Sequence, residues 1–90
     1  MRVIEINNVV KEDGYIYYIH HYKGTAVVEF LARQISLPIV FTIEINPLGM
    51  RSIDLEPLPR DLDYPVMPLS KALKEFIDQM DKNGLLPQTE

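Results

Sequence analysis

The residue types that most often do chemistry are sparse in this chain, and their spacing limits what they can do. Its two histidines, His20 and His21, are adjacent. Neighbours in a strand point to opposite faces, so this pair cannot close on one metal ion. Asp54, Glu56, Asp61 and Asp63 form a loose acidic group. Its spacing does not match a calcium-binding loop, and no glycine supplies the sharp turn such a loop needs. Ser36, Ser52 and Ser70 lack the context of a nucleophile elbow. The four glycines, Gly14, Gly24, Gly49 and Gly84, are isolated, so none builds a phosphate cradle. Cysteine is absent, which excludes disulfides, thiolate metal sites and thiol catalysis. No residue is assigned a catalytic, cofactor-binding or metal-binding role, no cofactor is expected, and a non-enzymatic role is favoured over an enzymatic one.

The aromatic run Tyr15, Tyr17, Tyr18 and Tyr22 is the remaining candidate. Aromatic side chains on an open sheet can stack nucleic-acid bases. That use needs basic residues for the phosphates, whereas the net charge is −4 and the pI about 5.1. The same balance argues against an anionic membrane surface. A contact surface for protein is the better reading, because clustered exposed apolar and tyrosine side chains mark such surfaces.

The elements that would position these residues follow from hydrophobic period. Ile39, Phe41, Ile43 and Ile45 alternate with Val40, Thr42, Glu44 and Asn46, and Ile53 and Leu55 alternate with Ser52, Asp54 and Glu56. Asn46-Pro47-Leu48-Gly49 between them predicts a type I turn closed by a glycine bulge. The implied register pairs Asn46 with Met50, Ile43 with Ile53, Phe41 with Leu55, Glu44 with Ser52 and Thr42 with Asp54. A one-residue slip would set isoleucine against polar residues.

Residues 3–11 and 15–22 predict a second hairpin through Glu12-Asp13-Gly14. Its register sets Lys11 against Tyr15, Ile6 against His20 and Glu5 against His21. Ile4, Ile6, Val10, Ile16 and Tyr18 then face the core. Val9, Tyr15, Tyr17, Ile19 and His21 share the outer face and form the candidate interaction face. A two-residue Asp13-Gly14 turn is the competing register.

Residues 25–36 read best as a helix. Val27, Val28, Leu31 and Ile35 share a side, Glu29 and Arg33 pair at i,i+4, Thr25 caps the start and Pro38 ends the run. The β-branched Val27 and Val28 keep a strand open as the alternative. Residues 57–69 hold four prolines and read as an extended crossing that lies against the body of the domain. Residues 70–83 predict a helix with Ser70 as N-cap, a stripe of Ala72, Leu73, Phe76, Ile77 and Met80, and Gly84 just past its end.

The expected fold is α+β, in the order ββαββα. It has a four-stranded, mainly antiparallel sheet of two hairpins with two helices on one face. A five-stranded antiparallel meander with one C-terminal helix is the alternative. Ile4-Glu5-Ile6-Asn7 recurs as Ile43-Glu44-Ile45-Asn46, which raises an internal ββα duplication. Ninety residues make one domain, placed at 1–86 with a frayed tail at 87–90. The N-terminal stretch carries Glu5 and two asparagines, so neither a signal peptide nor a membrane span is read there, and a cytoplasmic location is the default.

The function expected from these readings is a small interaction or self-association domain, a homodimer included, that works through the outer face of the first hairpin. The alternative is a ligand binder or enzyme with a pocket beneath residues 57–69, lined by His20, Arg60 and Tyr64. A third reading is an assembly component whose acidic surface meets a basic partner.

Overall fold

Six apolar residues at every second position, Ile35, Leu37, Ile39, Phe41, Ile43 and Ile45, specify one long strand with a single buried face. A computed structural model, which describes residues 1–12, 17–58 and 65–87, contains that strand as β3 (Arg33–Ile45). It pairs on one side with β2 (Ile19–Phe30) and on the other with β4 (Arg51–Leu55), and β1 (Arg2–Glu12) pairs with β2. The order β1-β2-β3-β4 is an antiparallel meander. Among the described residues one helix, α1 (Val66–Lys82), completes the fold. No helix among them is long and apolar enough to cross a membrane.

The two-helix ββαββα expectation is therefore corrected to ββββα, and the internal duplication goes with it. The one-helix meander is closer, with four strands rather than five. Residues 25–36 are not a helix. They are the end of β2, a two-residue turn at Leu31-Ala32, and the start of β3. Glu29 pairs with Arg2 across the sheet, its Oε1 3.6 Å from Arg2 Nη2, rather than with Arg33. Both turn residues are left-handed, with φ +51° at Leu31 and +63° at Ala32, as a type I′ hairpin turn requires.

Pro38 lies inside β3 instead of ending a helix. Counting along the ladder from the two-residue turn, alternate β3 residues from Gln34 to Thr42 turn their backbone groups away from β2. Val40 is one of these, and its carbonyl accepts the Glu56 amide at 2.9 Å. Two residues earlier, Pro38 lies beyond the end of β4, where a missing N–H breaks no ladder bond.

The β3–β4 register is the expected one at every predicted pair from Phe41↔Leu55 to Glu44↔Ser52, and the Asn46 amide donates to Met50 O at 2.9 Å. Gly49 closes the turn at φ +82°. The first hairpin is corrected. Lys11 pairs with Tyr22, Ile6 with Ala26 and Glu12 with His21, so the connection begins beyond Glu12. The proposed Glu12-Asp13-Gly14 turn falls mostly outside the described residues. Two bulges explain the slip. Ile4 is extra between Val3↔Val28 and Glu5↔Val27, and one further residue is inserted between Asn7↔Thr25 and Val10↔Lys23, where Asn8 has φ +53°.

The helix also starts earlier than expected, at Val66 with Pro65 as N-cap, so Ser70 lies inside it. Pro68 is tolerated because the amides of a helix's first turn have no intrahelical acceptor. Leu69, Leu73 and Ile77 form a fully buried i,i+4 stripe, with Val66, Phe76 and Met80 beside it. Burying those three contributes roughly 1.5–3 kcal/mol each before entropy is counted. The end is a Schellman close, with Leu85 N donating to Met80 O (2.9 Å) and Gly84 N to Asp81 O (3.2 Å).

The core lies between α1 and one face of the sheet, with Tyr22, Ala26, Val28, Leu37, Ile39, Phe41 and Ile43 from the central strands. The helix touches both edge strands, β1 and β4. In a flat sheet those would lie about 14 Å apart, so the sheet curls around the helix. At the top of the core Tyr22 stacks on Phe41, ring centroids 5.1 Å apart. Burial raises the Tyr22 pKa, and the Asp81 carboxylate adds to this while Arg51 opposes it. Arg51 and Asp81 are themselves paired, which ties β4 to the last turn of α1.

Candidate functional site

The predicted interaction face does not assemble as one surface. The bulge after Asn7 sets two β1 residues against Gly24, and it turns Val9 onto the helix side, where it packs on the core. A side-chain carbon added at Gly24 would lie 3.1 Å from Val9 Cγ2 and 3.4 Å from Ile6 Cγ2. Val10, assigned to the core in sequence, is 61% exposed instead. Ile19 and His21 do share the outer face of β2, and Tyr17 sits in the turn before it. Tyr15 lies outside the described residues. His21 opposes Glu12 and Thr42 rather than Glu5, and its Nδ1 is 3.1 Å from Thr42 Oγ1. A shallow polar depression runs there, lined by Glu12, His21, Lys23, Val40 and Glu56. Its charges alternate, and Lys23 Nζ is 3.5 Å from Glu12 Oε1. This is a solvated face whose ion pairs are worth little.

The unusual surface lies at one end, where the approach to β2 meets the β3–β4 turn. Tyr17 is 89% exposed, Leu48 85% and Met50 61%, with Tyr18 beside them at 43%. Side chains of this kind are costly to leave in water. They are held there by a well-satisfied backbone. Asn46 Oδ1 accepts from the Leu48 and Met50 amides, both at 2.9 Å, and its carbonyl accepts from Gly49 N. Tyr18 O accepts the Ile45 amide at 2.9 Å, and His20 Nε2 donates to Tyr17 O at 3.0 Å. The Arg51–Asp81 pair brings the C-terminal end of α1 to the same region, where Leu85 is 65% exposed.

Tyr17 and Tyr18 meet edge to face, with ring centroids 5.6 Å apart and planes at 89°. They line an open cleft of about 670 Å³ together with Glu44, Ile45, Asn46 and Pro47. That volume suits a side chain or a small molecule. Among the described residues no three His, Asp or Glu side chains are grouped to hold a metal. Of the acidic group read in sequence, Asp54 is on β4 and Glu56 follows it, while Asp61 and Asp63 lie outside the described residues. The pocket proposed beneath residues 57–69 also lies largely outside them. Of its three polar residues only His20 is described, and it faces the core side beside Tyr22, ring centroids 6.5 Å apart.

A family model matches residues 1–82, from the first strand through the last residue of α1. The chain belongs to the BB-0187 family. The match takes in both Tyr17-Tyr18 and the β3–β4 turn, so the whole cleft lies in the part of the chain that defines the family. No curated protein and no solved structure matches the chain.

Leu48 and Met50 were not singled out by sequence reasoning, which took them as turn positions. A signal was present. An apolar residue at the tip of an Asn-Pro-x-Gly turn departs from the polar residues such turns usually carry.

Proposed function

We propose that this chain is a small non-enzymatic contact domain that self-associates through the end bearing Tyr17, Tyr18, Leu48 and Met50. The observation that carries the reading is the set of large apolar side chains held out on a hydrogen-bonded turn. A rigid surface loses little conformational entropy when it is covered, so binding keeps more of the burial energy. Aromatic and methionine side chains are enriched in interface cores. Four side chains make a patch smaller than a standard interface, so the association is expected to be weak and reversible, with Kd in the micromolar range or above.

Sedimentation equilibrium tests this. The wild type should rise above its monomer mass of 10.4 kDa as concentration increases. Tyr17→Glu and Leu48→Glu should both remain monomeric while keeping the wild-type far-UV CD spectrum and melting cooperativity. A wild type that stays at the monomer mass up to millimolar concentration sinks the proposal.

A further inference from the structure

We propose that the Tyr17–Tyr18 corner is a binding site for an alkylated ammonium cation, such as a free quaternary amine or a methylated lysine side chain. The site lies at the same end of the molecule as the contact surface but does not depend on self-association. Perpendicular ring planes, here at 89°, form two walls of an open box. The face of each ring is electron-rich and attracts a cation, most strongly where water is partly excluded. Tyr17 is 89% exposed, so its ring faces are largely uncovered.

The remaining lining fits the same ligand. Glu44 supplies a carboxylate, Ile45 and Pro47 supply apolar surface, and none of the lining residues is basic. A charged but weakly hydrated group with a methylated skin matches all three features. A bare ammonium gives up more hydration energy on entering such a cleft, and a carboxylate ligand would meet Glu44. The backbone on either side is fixed by the Tyr18–Ile45 and His20–Tyr17 hydrogen bonds, so the walls are in place before the ligand arrives.

The test is a ¹H–¹⁵N NMR titration with choline and with its uncharged isostere, in which a tert-butyl group replaces the trimethylammonium. Choline should bind about tenfold more tightly than the isostere, from two ring contacts of ordinary strength at an exposed site. Its shifts should map to Tyr17, Tyr18, Glu44 and Ile45. Tyr17→Ala should abolish the preference and Tyr17→Phe should retain it, because the ring face and not the hydroxyl does the binding. Glu44→Gln should weaken choline severalfold at low salt and leave the isostere unchanged. A trimethyllysine peptide that binds more tightly than choline assigns the cation to a protein partner, and the reverse order assigns it to a free amine. Equal affinity for choline and the isostere, or shifts that map elsewhere, overturns the inference. A monomer that prefers choline keeps this inference and loses the self-association reading. A self-associating chain that treats both probes alike does the opposite.

Discussion

The β2–β3 turn offers the sharpest test of the backbone. Leu31 and Ala32 both hold positive φ, a region that disfavours side chains with a Cβ by roughly 1–2 kcal/mol per residue. Glycine removes the clash but enlarges the unfolded ensemble by about 0.4–1 kcal/mol, so Ala32→Gly should gain roughly 0.5–1 kcal/mol. Asparagine tolerates the left-handed region better than leucine, and Leu31 is 79% exposed, so Leu31→Asn loses little burial. The pair Leu31→Asn/Ala32→Gly should therefore stabilise the protein by about 1–2 kcal/mol. In urea the midpoint should rise with m unchanged, and the melting temperature should rise by roughly 5–15 °C. Gly49 supplies the reverse experiment. It sits at φ +82° with nothing within 4 Å of an added Cβ, so Gly49→Ala meets no steric obstacle and only the conformational penalty. It should destabilise by about 0.5–1 kcal/mol. A double variant no more stable than wild type, or a Gly49→Ala variant that gains stability, would refute the assignment of these two turns.

Two further outcomes follow from the packing. The bulge after Asn7 makes adjacent valines unequal, so Val9→Ala should cost about 1–2 kcal/mol in urea denaturation, whereas Val10→Ala should stay within about 0.5 kcal/mol; equal costs would mean the bulge is absent. Burial raises the Tyr22 pKa with help from Asp81, so the folded state holds its proton longer than the unfolded state; the resulting stabilisation is complete below about pH 10 and is lost as pH rises through the folded pKa. Tyr22→Phe should flatten that alkaline loss when urea midpoints are compared on either side of about pH 10, and an unchanged slope would show that Tyr22 is not its source.

Much of the fold was legible because local and global signals agreed. In the β3–β4 hairpin, turn chemistry and alternation gave the same register. In α1, the stripe through Leu73 and Ile77 and the left-handed Gly84 bounded the C-terminal part of the helix. The losses came where one signal was silent. Val27, Val28, Leu31 and Ile35 satisfy a helical wheel as well as a strand, and no glycine or asparagine marks the turn at Leu31-Ala32 that decides between them. The deciding pattern was the alternation from Ile35 to Ile45, interrupted in the reading by Pro38, which is harmless beyond the end of β4. In β1 two extra residues put Val3, Ile6 and Val9 on the core side at a spacing of three, which no period-two reading recovers. That error moved Val9 into the candidate site. Tyr17 stayed in it because its exposure does not depend on register.

Both hairpin turns of the central strand break a local rule in the same way, by placing leucine at an exposed tip. Such violations persist where function or strain compensates for them. The two tips differ in what surrounds them. Leu31 carries backbone strain but lines no described cleft, whereas Leu48 sits on an unstrained, hydrogen-bonded turn next to the tyrosine cleft. Strain without a ligand-sized cavity points to a cost in stability, and exposure without strain points to a surface kept for contact. Relieving the turn at Leu31 should therefore change stability and leave association untouched. Replacing Leu48 should weaken association and leave stability nearly unchanged.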